Sequence, residues 1–598
     1  GTPFSATDPV PGSSNVGDGA LTVLKTSYDT QTEDWTILAV SANSFLVTGS
    51  VSGQQSQQYS IEAGVEYIPY VSDNNEVSFI IANGSVAYAV GDTFTFSTSA
   101  GTIVGETVTL TETDVDTGIF TSSITLNETE TPNAADGILD VQSGDLITVF
   151  YDDASGDWGD AEQVRSTALY AATVIKGSTL LADTIWTEEN SPYLVTGDVT
   201  VSVNTTLTIM PGVKVLFLAN TDDTVGGQAP YDSELIIQGT LNIAGADAKG
   251  ITLTSSNREP AIGDWGGVRV ENGTASITYT TLEYSAYGVD LNNVSYGKTF
   301  SLSNSILSSN GIGVKVSSAS SDGIFTITDN TISNTSGRVI DGNNSHAKWT
   351  LSGNIISNNG SNSDHTLYFD YSYSLSLTNN QILDNVGGIQ ISSVRDDLIF
   401  TGNTLSNNQD NDMMMSGGLS ISSWHSEGEW MTDSIIIEDN IIDNNSQTGI
   451  YLSQSGNADP AINRNKVRNN SGYGIYVYSE THNTQPSIHD NEITGNGLSN
   501  MGNNAGLYIS GKAVPSIVGN TIDNNGAGIY VNYDDVNGNG DFDLTDNLIT
   551  NNQGYGLSVN GYAKPVINNN DIYENTGYAL ENHTNFAVDA KNNWWGVD

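Results

Sequence analysis

Apolar residues along most of this chain recur in short bursts of alternation, and the bursts themselves recur at a near-constant interval. From about residue 300 onward a unit of the form apolar-x-x-Asn-x-apolar repeats. It reads Ile327/Asn330/Ile332, Leu351/Asn354/Ile356, Leu377/Asn380/Ile382, Phe400/Asn403/Leu405 and Ile437/Asn440/Ile442. It goes on through Ile462/Asn465/Val467, Ile488/Asn491/Ile493, Ile517/Asn520/Ile522, Leu544/Asn547/Ile549 and Ile567/Asn570/Ile572, with weaker members at Asn304 and Asn593. The asparagines fall 23–29 residues apart, except for the step of 37 between Asn403 and Asn440. That long step predicts an insertion at about 408–432. Each repeat also carries Gly-apolar-x-apolar, as in Gly388-Ile-Gln-Ile391, Gly474-Ile-Tyr-Val477 and Gly528-Ile-Tyr-Val531, the period-two pattern of a short strand. Glycine there suits a tight corner with positive φ. Asparagine tolerates the left-handed region and can bond to the same residue one repeat away.

No unit of two dozen residues can bury its own apolar positions. Stacked units bury them in one interior column, with backbone bonds running from coil to coil. The expected fold is therefore a parallel β-helix. A leucine-rich repeat would need a fixed leucine lattice. At ~4.8 Å per coil, about twelve to fifteen coils span on the order of 60–70 Å. The Asn-x-Ile and Gly-Ile-Tyr-Val patterns resemble the right-handed parallel β-helix repeats of the carbohydrate-binding and sugar-hydrolase superfamily. Tyr193-Leu-Val-Thr-Gly-Asp-Val, Leu207-Thr-Ile-Met-Pro-Gly and Asp264-Trp-Gly-Gly-Val resemble the first coils of bacterial surface proteins of that fold. Asn592-Asn-Trp-Trp-Gly596 resembles a motif that closes such helices. The resemblance covers roughly residues 180–598 and implies a fold; it does not imply an activity.

The first third reads differently. Residues 1–18 are rich in Pro, Ser and Gly and predict an extended arm. Residues 19–98 and 99–172 alternate apolar and polar with turn signals, and predict two small antiparallel β-sandwich modules, the second resembling an immunoglobulin-like module. The helix is expected over 173–598. The fold class is thus all-β: a right-handed parallel β-helix solenoid preceded by two sandwich modules.

Composition narrows the partners. With 69 acidic against 18 basic residues, the formal charge of −51 repels nucleic acid and anionic lipid surfaces. There is no cysteine and no apolar run long enough for a transmembrane helix. The chain opens at Gly1 without a basic-then-apolar leader, so the expectation is that a secretion signal has been removed or the sequence trimmed. Extracellular or cell-surface work is the expectation.

Candidate chemistry is sparse. Asp535, Asn537, Asn539, Asp541 and Asp543, with Gly540 for the sharp turn, have the spacing of a shortened calcium loop; the alternative is an acidic coil corner. Asp152, Asp153 and Asp157 form a second acidic cluster, either a calcium site or solvated loops. Tyr451, Tyr476, Tyr508 and Tyr530 share one register with their rings directed outward. They could stack on sugars, or pack against another copy of the chain, or simply stack as a ladder. Arg464, Lys466 and Arg468 are the one basic cluster, expected on one side of a strand. They could serve a lyase that removes the proton beside a uronate, or be surface charge. No carboxylate pair sits in a pectin-hydrolase motif.

Two functions follow as expectations. One is a non-catalytic surface protein that self-assembles into filaments or layers, or adheres, with its arm adding a strand to a neighbour. The alternative is a calcium-dependent polysaccharide lyase or another polysaccharide-active β-helix enzyme.

Overall fold

The computed structural model describes residues 5–596, excluding 27–29, 57, 61–69, 74–75, 83, 85, 102–104, 115–119, 129–136, 142–144, 154–161, 171–172, 258, 296, 321–322, 344, 361–364, 410–417, 424–433, 455–457, 481–482 and 499–503. The chain divides into two compact units, Gly1–Val141 and Gln142–Asp598.

In the first unit, the alternation of Glu33–Ser41 puts Trp35, Ile37 and Ala39 in a core and the intervening residues in solvent. That strand pairs with Ser44–Gly49 and Thr93–Ser99 in one antiparallel sheet. A second sheet, with Ala20–Thr26, Val77–Ala82 and Tyr70–Val71, adds Phe79 and Ile81 to the same core. A sandwich thus forms close to where it is expected. The arm does not hang free. Ser5–Ala6 and Val10–Pro11 pair antiparallel with Thr93–Ser99 of their own chain, and Asp92 accepts the Val16 and Gly17 N–H groups. This corrects the expectation of an arm available to a neighbour. Between residues 99 and 172 the described strands form separate two-stranded ladders, one of them parallel (Thr125–Glu128 with Ile138–Val141), and the division between units falls at Val141.

The second unit contains the solenoid, whose first strand is Thr173–Ile175. Each coil visits three parallel sheets in turn, with 16, 16 and 15 strands. The first coil is Thr173–Ile175, Ser178–Leu180 and Thr184–Trp186. Its apolar positions stack into one core, among them Val201, Leu241, Leu302, Ile327, Leu377, Ile437 and Leu544. The step of 37 holds one ordinary coil. Its middle strand, Leu419–Ser423, falls inside the stretch expected as an insertion, and residues 410–417 and 424–433 lie outside the described residues. Met413 to Met415 and Trp424 to Trp430 lie outside the described residues.

The asparagines line one edge as expected. Asn330 Nδ2 donates to Asn354 Oδ1, Asn354 to Asn380, Asn380 to Asn403, and so on to Asn593. Asn304 is not in this column; Ser305 takes the place, its N–H donating to Asn330 Oδ1. A second ladder lies five residues further along each coil, from Asn359 through Asn385, Asn408, Asn445, Asn470, Asn496, Asn525 and Asn552 to Asn575. The residue before each first-ladder Asn carries the positive φ of the corner, as at Asp329 (55°), Asp439 (59°) and Asp546 (58°). The glycines of Gly-apolar-x-apolar do not. Gly506 faces the second ladder, where a Cβ would lie 2.7 Å from Asn525 Nδ2. Its role is room for the amide column, and the corner reading of these glycines is corrected.

Candidate functional site: one column of the second sheet

In each strand of the second sheet the residue between two buried aliphatics must face outward. Strand register aligns these residues from coil to coil: Arg269, Asp290, Lys315, Asp341, Tyr368, Gln390, Ser420, Tyr451, Tyr476, Tyr508, Tyr530, Ser558 and Glu581. The corresponding column of the third sheet runs Asn242, Ser276, Ser301, Thr326, Thr350, Ser376, Ile399, Ile436, Ala461, Ser487, Ser516, Asp543 and Val566, with one charge and no aromatic ring. Small hydroxyl residues are what a bare β-surface needs. The second-sheet column opens with Thr179, Thr200 and Ile236, and departs from that composition from Arg269 onward, save at Ser420 and Ser558.

The upper part of the column is a charged station. Asp290 is 2% exposed. Its Oδ1 accepts from Ser317 Oγ at 3.2 Å, while Oδ2 has no hydrogen-bond partner. Burial pushes its carboxyl above the usual range, and Lys315 and Arg269 on the flanking coils oppose that rise. Arg269 Nη1 donates to Gln228 Oε1 at 3.1 Å, and Nη2 lies 3.7 Å from Glu271 Oε1; its buried Nε is without a partner. Lys315 Nζ sits 4.3 Å above the Tyr287 ring. Arg338 pairs with Asp341 at 2.7 Å, its guanidinium 4.4 Å above the Tyr368 ring. A desolvated carboxyl between two cations can exchange a proton with a bound molecule, and the cations can steady charge that develops on it. Beside the station, the carboxylates of Asp198, Asp222 and Glu234 are occupied by backbone N–H groups, and so brace the loop before Glu234.

The lower part is aromatic. Tyr451, Tyr476, Tyr508 and Tyr530 stack with ring centroids 5.1, 4.7 and 4.6 Å apart. The ring faces are spent on one another, so the edges and hydroxyls are what reach solvent. Stacking of sugars on these faces, one of the expected uses, is therefore closed for the inner rings, and the ladder reading holds. Tyr473 packs edge-on against Tyr476, its centroid also 4.9 Å from that of Tyr508.

The other sequence-predicted residues lie elsewhere. Arg464 occupies a corner with φ 57°, while Lys466 and Arg468 are on a first-sheet strand; the three do not share one strand face. Arg464 pairs with Glu438 at 2.6 Å and Asp439 at 2.9 Å, and Arg468 with Asp443 at 3.3 Å. Asp535 Oδ1 accepts the Asn537 N–H at 2.9 Å, and Asp541 and Asp543 lie exposed on the third-sheet strand Asp541–Thr545. Asp152 and Asp153 lie on Leu146–Asp153, and Asp157 is outside the described residues. Among the described residues no group of three or more His, Asp or Glu side chains is arranged to hold a metal ion, and no helix is long and apolar enough to cross a membrane. Arg269, Asp290, Lys315 and Asp341 escaped the sequence reading. They stand at the same place as the tyrosines, in Val268-Arg-Val270, Val289-Asp-Leu291 and Val314-Lys-Val316, and following the tyrosine register upstream would have found them.

Three parallel sheets wound coil on coil, a core column and two amide ladders define the class: this is a right-handed parallel β-helix protein. Residues 287–429 and 428–514 match the family described as right handed beta helix region, and residues 179–349 match the pectate-lyase like beta helix domain. No curated protein matches. Among solved structures, the periplasmic alginate epimerase AlgG is similar at 11% identity, over 67% of this chain and 78% of that one, with a TM-score of 0.27. The A-module of the Azotobacter vinelandii mannuronan C-5 epimerase AlgE6 is similar at 12% identity over 64% and 90%, TM-score 0.24. The catalytic domain of a GH87 alpha-1,3-glucanase is similar at 9% identity over 99% and 91%, TM-score 0.20. These are likenesses of scaffold.

Proposed function

We propose that this protein works outside the cytoplasm, binding a polysaccharide along the outer face of its second sheet and acting on it by proton transfer at Asp290. The observation that carries the reading is the column itself. Charged, amide and aromatic side chains recur along one register of the second sheet from Arg269 to Glu581, and they include a buried carboxyl with an unpartnered oxygen between two cations. A scaffold with only a structural task has no need of that desolvated group, whose cost a bound ligand would offset. Asp290 handles the proton, Arg269 and Lys315 hold developing negative charge, and the residues further down the column hold the polymer.

The surface-assembly reading drew on the modular β plan, the missing catalytic set and a free arm, and of these the arm is engaged within its own chain. Calcium in the Asp535 loop belongs to the proposal as a stabilising ion.

The test is to incubate the purified protein with a panel of neutral and acidic polysaccharides. Affinity electrophoresis would follow binding; new reducing ends and unsaturated uronates would follow conversion. Retardation by at least one polymer, with product formed from it, is the expected result. Neither retardation nor product with any polymer would sink the reading.

A further inference from the structure

The charged station occupies only the first few positions of the column. From Tyr451 to Tyr530 the same column holds no cation, and the acids Asp534 and Glu480 lie near enough to raise the phenols of Tyr530 and Tyr478. Among the described residues of that column an anionic polymer meets no cation, and two carboxylates beside it repel it. What the stacked rings offer instead is a file of hydroxyls advancing one coil at a time, close to the length of one sugar residue in an extended chain. Tyr476, Tyr508 and Tyr530 are partly exposed. Burial, ahead of charge, raises all the shifted phenols of the group, which keeps them protonated and able to donate. The file continues the register of Asp290, from six coils on at Tyr451 to nine at Tyr530, so a chain running along the sheet passes over both.

We infer that the tyrosine file is a holding subsite for an uncharged polysaccharide strand, bound through the phenol hydroxyls and ring edges of Tyr476, Tyr508 and Tyr530 and not by stacking on ring faces. The inference rests on the reading that the second sheet binds a polysaccharide, and it names the class of polymer.

Phenylalanine separates the two roles of each ring, since it keeps the stack and removes the hydroxyl. The triple variant Tyr476→Phe, Tyr508→Phe, Tyr530→Phe, or the single Tyr508→Phe should the triple not fold, is compared with the wild-type chain by affinity electrophoresis in gels of neutral and of acidic polysaccharides. Sedimentation velocity is run on both. The expected result is that the wild type binds a neutral polymer, and that the triple variant binds it on the order of thirtyfold more weakly, three hydrogen bonds being lost, with unchanged mass. For the single variant a loss of about threefold is expected. Undiminished affinity in the variant overturns the inference, as does a change in oligomeric state without a change in affinity. Retention of the wild type by acidic polymers alone overturns it too, and leaves the proposed function standing. Failure of the wild type to bind any polymer removes both.

Discussion

Asn354 and Asn380 are joined twice across one coil: the Asn354 side-chain amide donates to Asn380 Oδ1 at 2.9 Å, and the Asn354 backbone N–H reaches the same oxygen at 3.1 Å. Asn380 Nδ2 in turn donates to Leu351 O at 3.0 Å and to Asn403 Oδ1 at 3.0 Å. All of this is buried, so Asn380→Ala leaves two donors and a carbonyl unsatisfied away from water. Each such group costs ~1–3 kcal/mol, and a net loss of about 3 kcal/mol is expected. Because a solenoid answers through nearest neighbours, the loss should be local. Hydrogen exchange should show the Asn354 and Asn380 coils losing protection while coils near Asn547 keep theirs. Unchanged protection at Asn354 would contradict the account.

The glycine column gives a sharper steric test. At Gly506 a Cβ would lie 2.7 Å from Asn525 Nδ2 and 3.1 Å from Ile522 Cγ2. The amide cannot withdraw without breaking the second ladder. Gly506→Ala should therefore cost ~1–3 kcal/mol, the usual penalty for overpacking, with amide protection lost at Asn525. If φ had been the reason for glycine at this place, Gly506→Asn would be the milder change. Since room is the reason, Asn should be worse than Ala, as denaturation midpoints of the two variants can decide.

The amide ladder and core column were legible because both repeat at the period of the coil, so that Ile327, Leu351 and Leu377 announce each other. The second ladder was hidden in plain Asn-Asn pairs such as Asn444-Asn445, where the first residue takes the left-handed corner and the second the buried column. Sequence alone does not say which of two adjacent asparagines turns. Asp290 was illegible for another reason. It breaks no pattern, and its character comes from flanking side chains one coil away on either side, Arg269 and Lys315, each more than twenty residues distant in the chain. The arm was misjudged because Val10-Pro11 looks like linker composition; only the exposed edge of Thr93–Ser99 makes a strand of it.

Asp232 should make stability depend on pH. Burial, then the charges of Asp264 and Asp222, raise its carboxyl to about 6, above the ordinary carboxylate value near 4. The folded state thus binds a proton that the unfolded state has already released, and stability falls as pH rises through that window. Its contribution is full below about pH 4 and lost above about pH 6. The wild-type melting temperature should drop across this range by more than that of Asp232→Asn, whose amide cannot titrate. Equal slopes in the two proteins would rule Asp232 out as the source.

The loop from Asp535 to Asp543 is proposed to take calcium. Lys512 Nζ stands 4.0 Å from Asp535 Oδ2, a weak competitor that a divalent ion would displace. Adding calcium should raise the melting temperature and give heat in calorimetry, and both effects should vanish in Asp535→Asn combined with Asp541→Asn. Magnesium, which demands a tighter octahedral shell, should do much less. Absence of any heat or thermal shift with calcium removes the ion from the account.

The last expectation concerns Asp290, for which direction of titration and chemistry agree. Burial favours its protonated form, so the acid persists to higher pH than an exposed aspartate would allow. If it donates a proton to the bound polymer, activity should hold on the acid side and fall as pH rises through its raised value. Asp290→Asn keeps the size of the side chain and its bond to Ser317 but cannot give up a proton. The variant should lose activity by about 10²–10⁴-fold, the usual contribution of a general acid, and lose the alkaline limb of the profile. Its affinity for the polymer should stay within a few-fold, because the rest of the column is untouched. Arg269→Gln should act differently. It removes a cation that steadies charge, so turnover falls while the shape of the limb persists, shifted upward because Arg269 no longer opposes protonation of Asp290. An Asp290→Asn protein with full activity and the same limb would show that the proton is handled elsewhere on the helix.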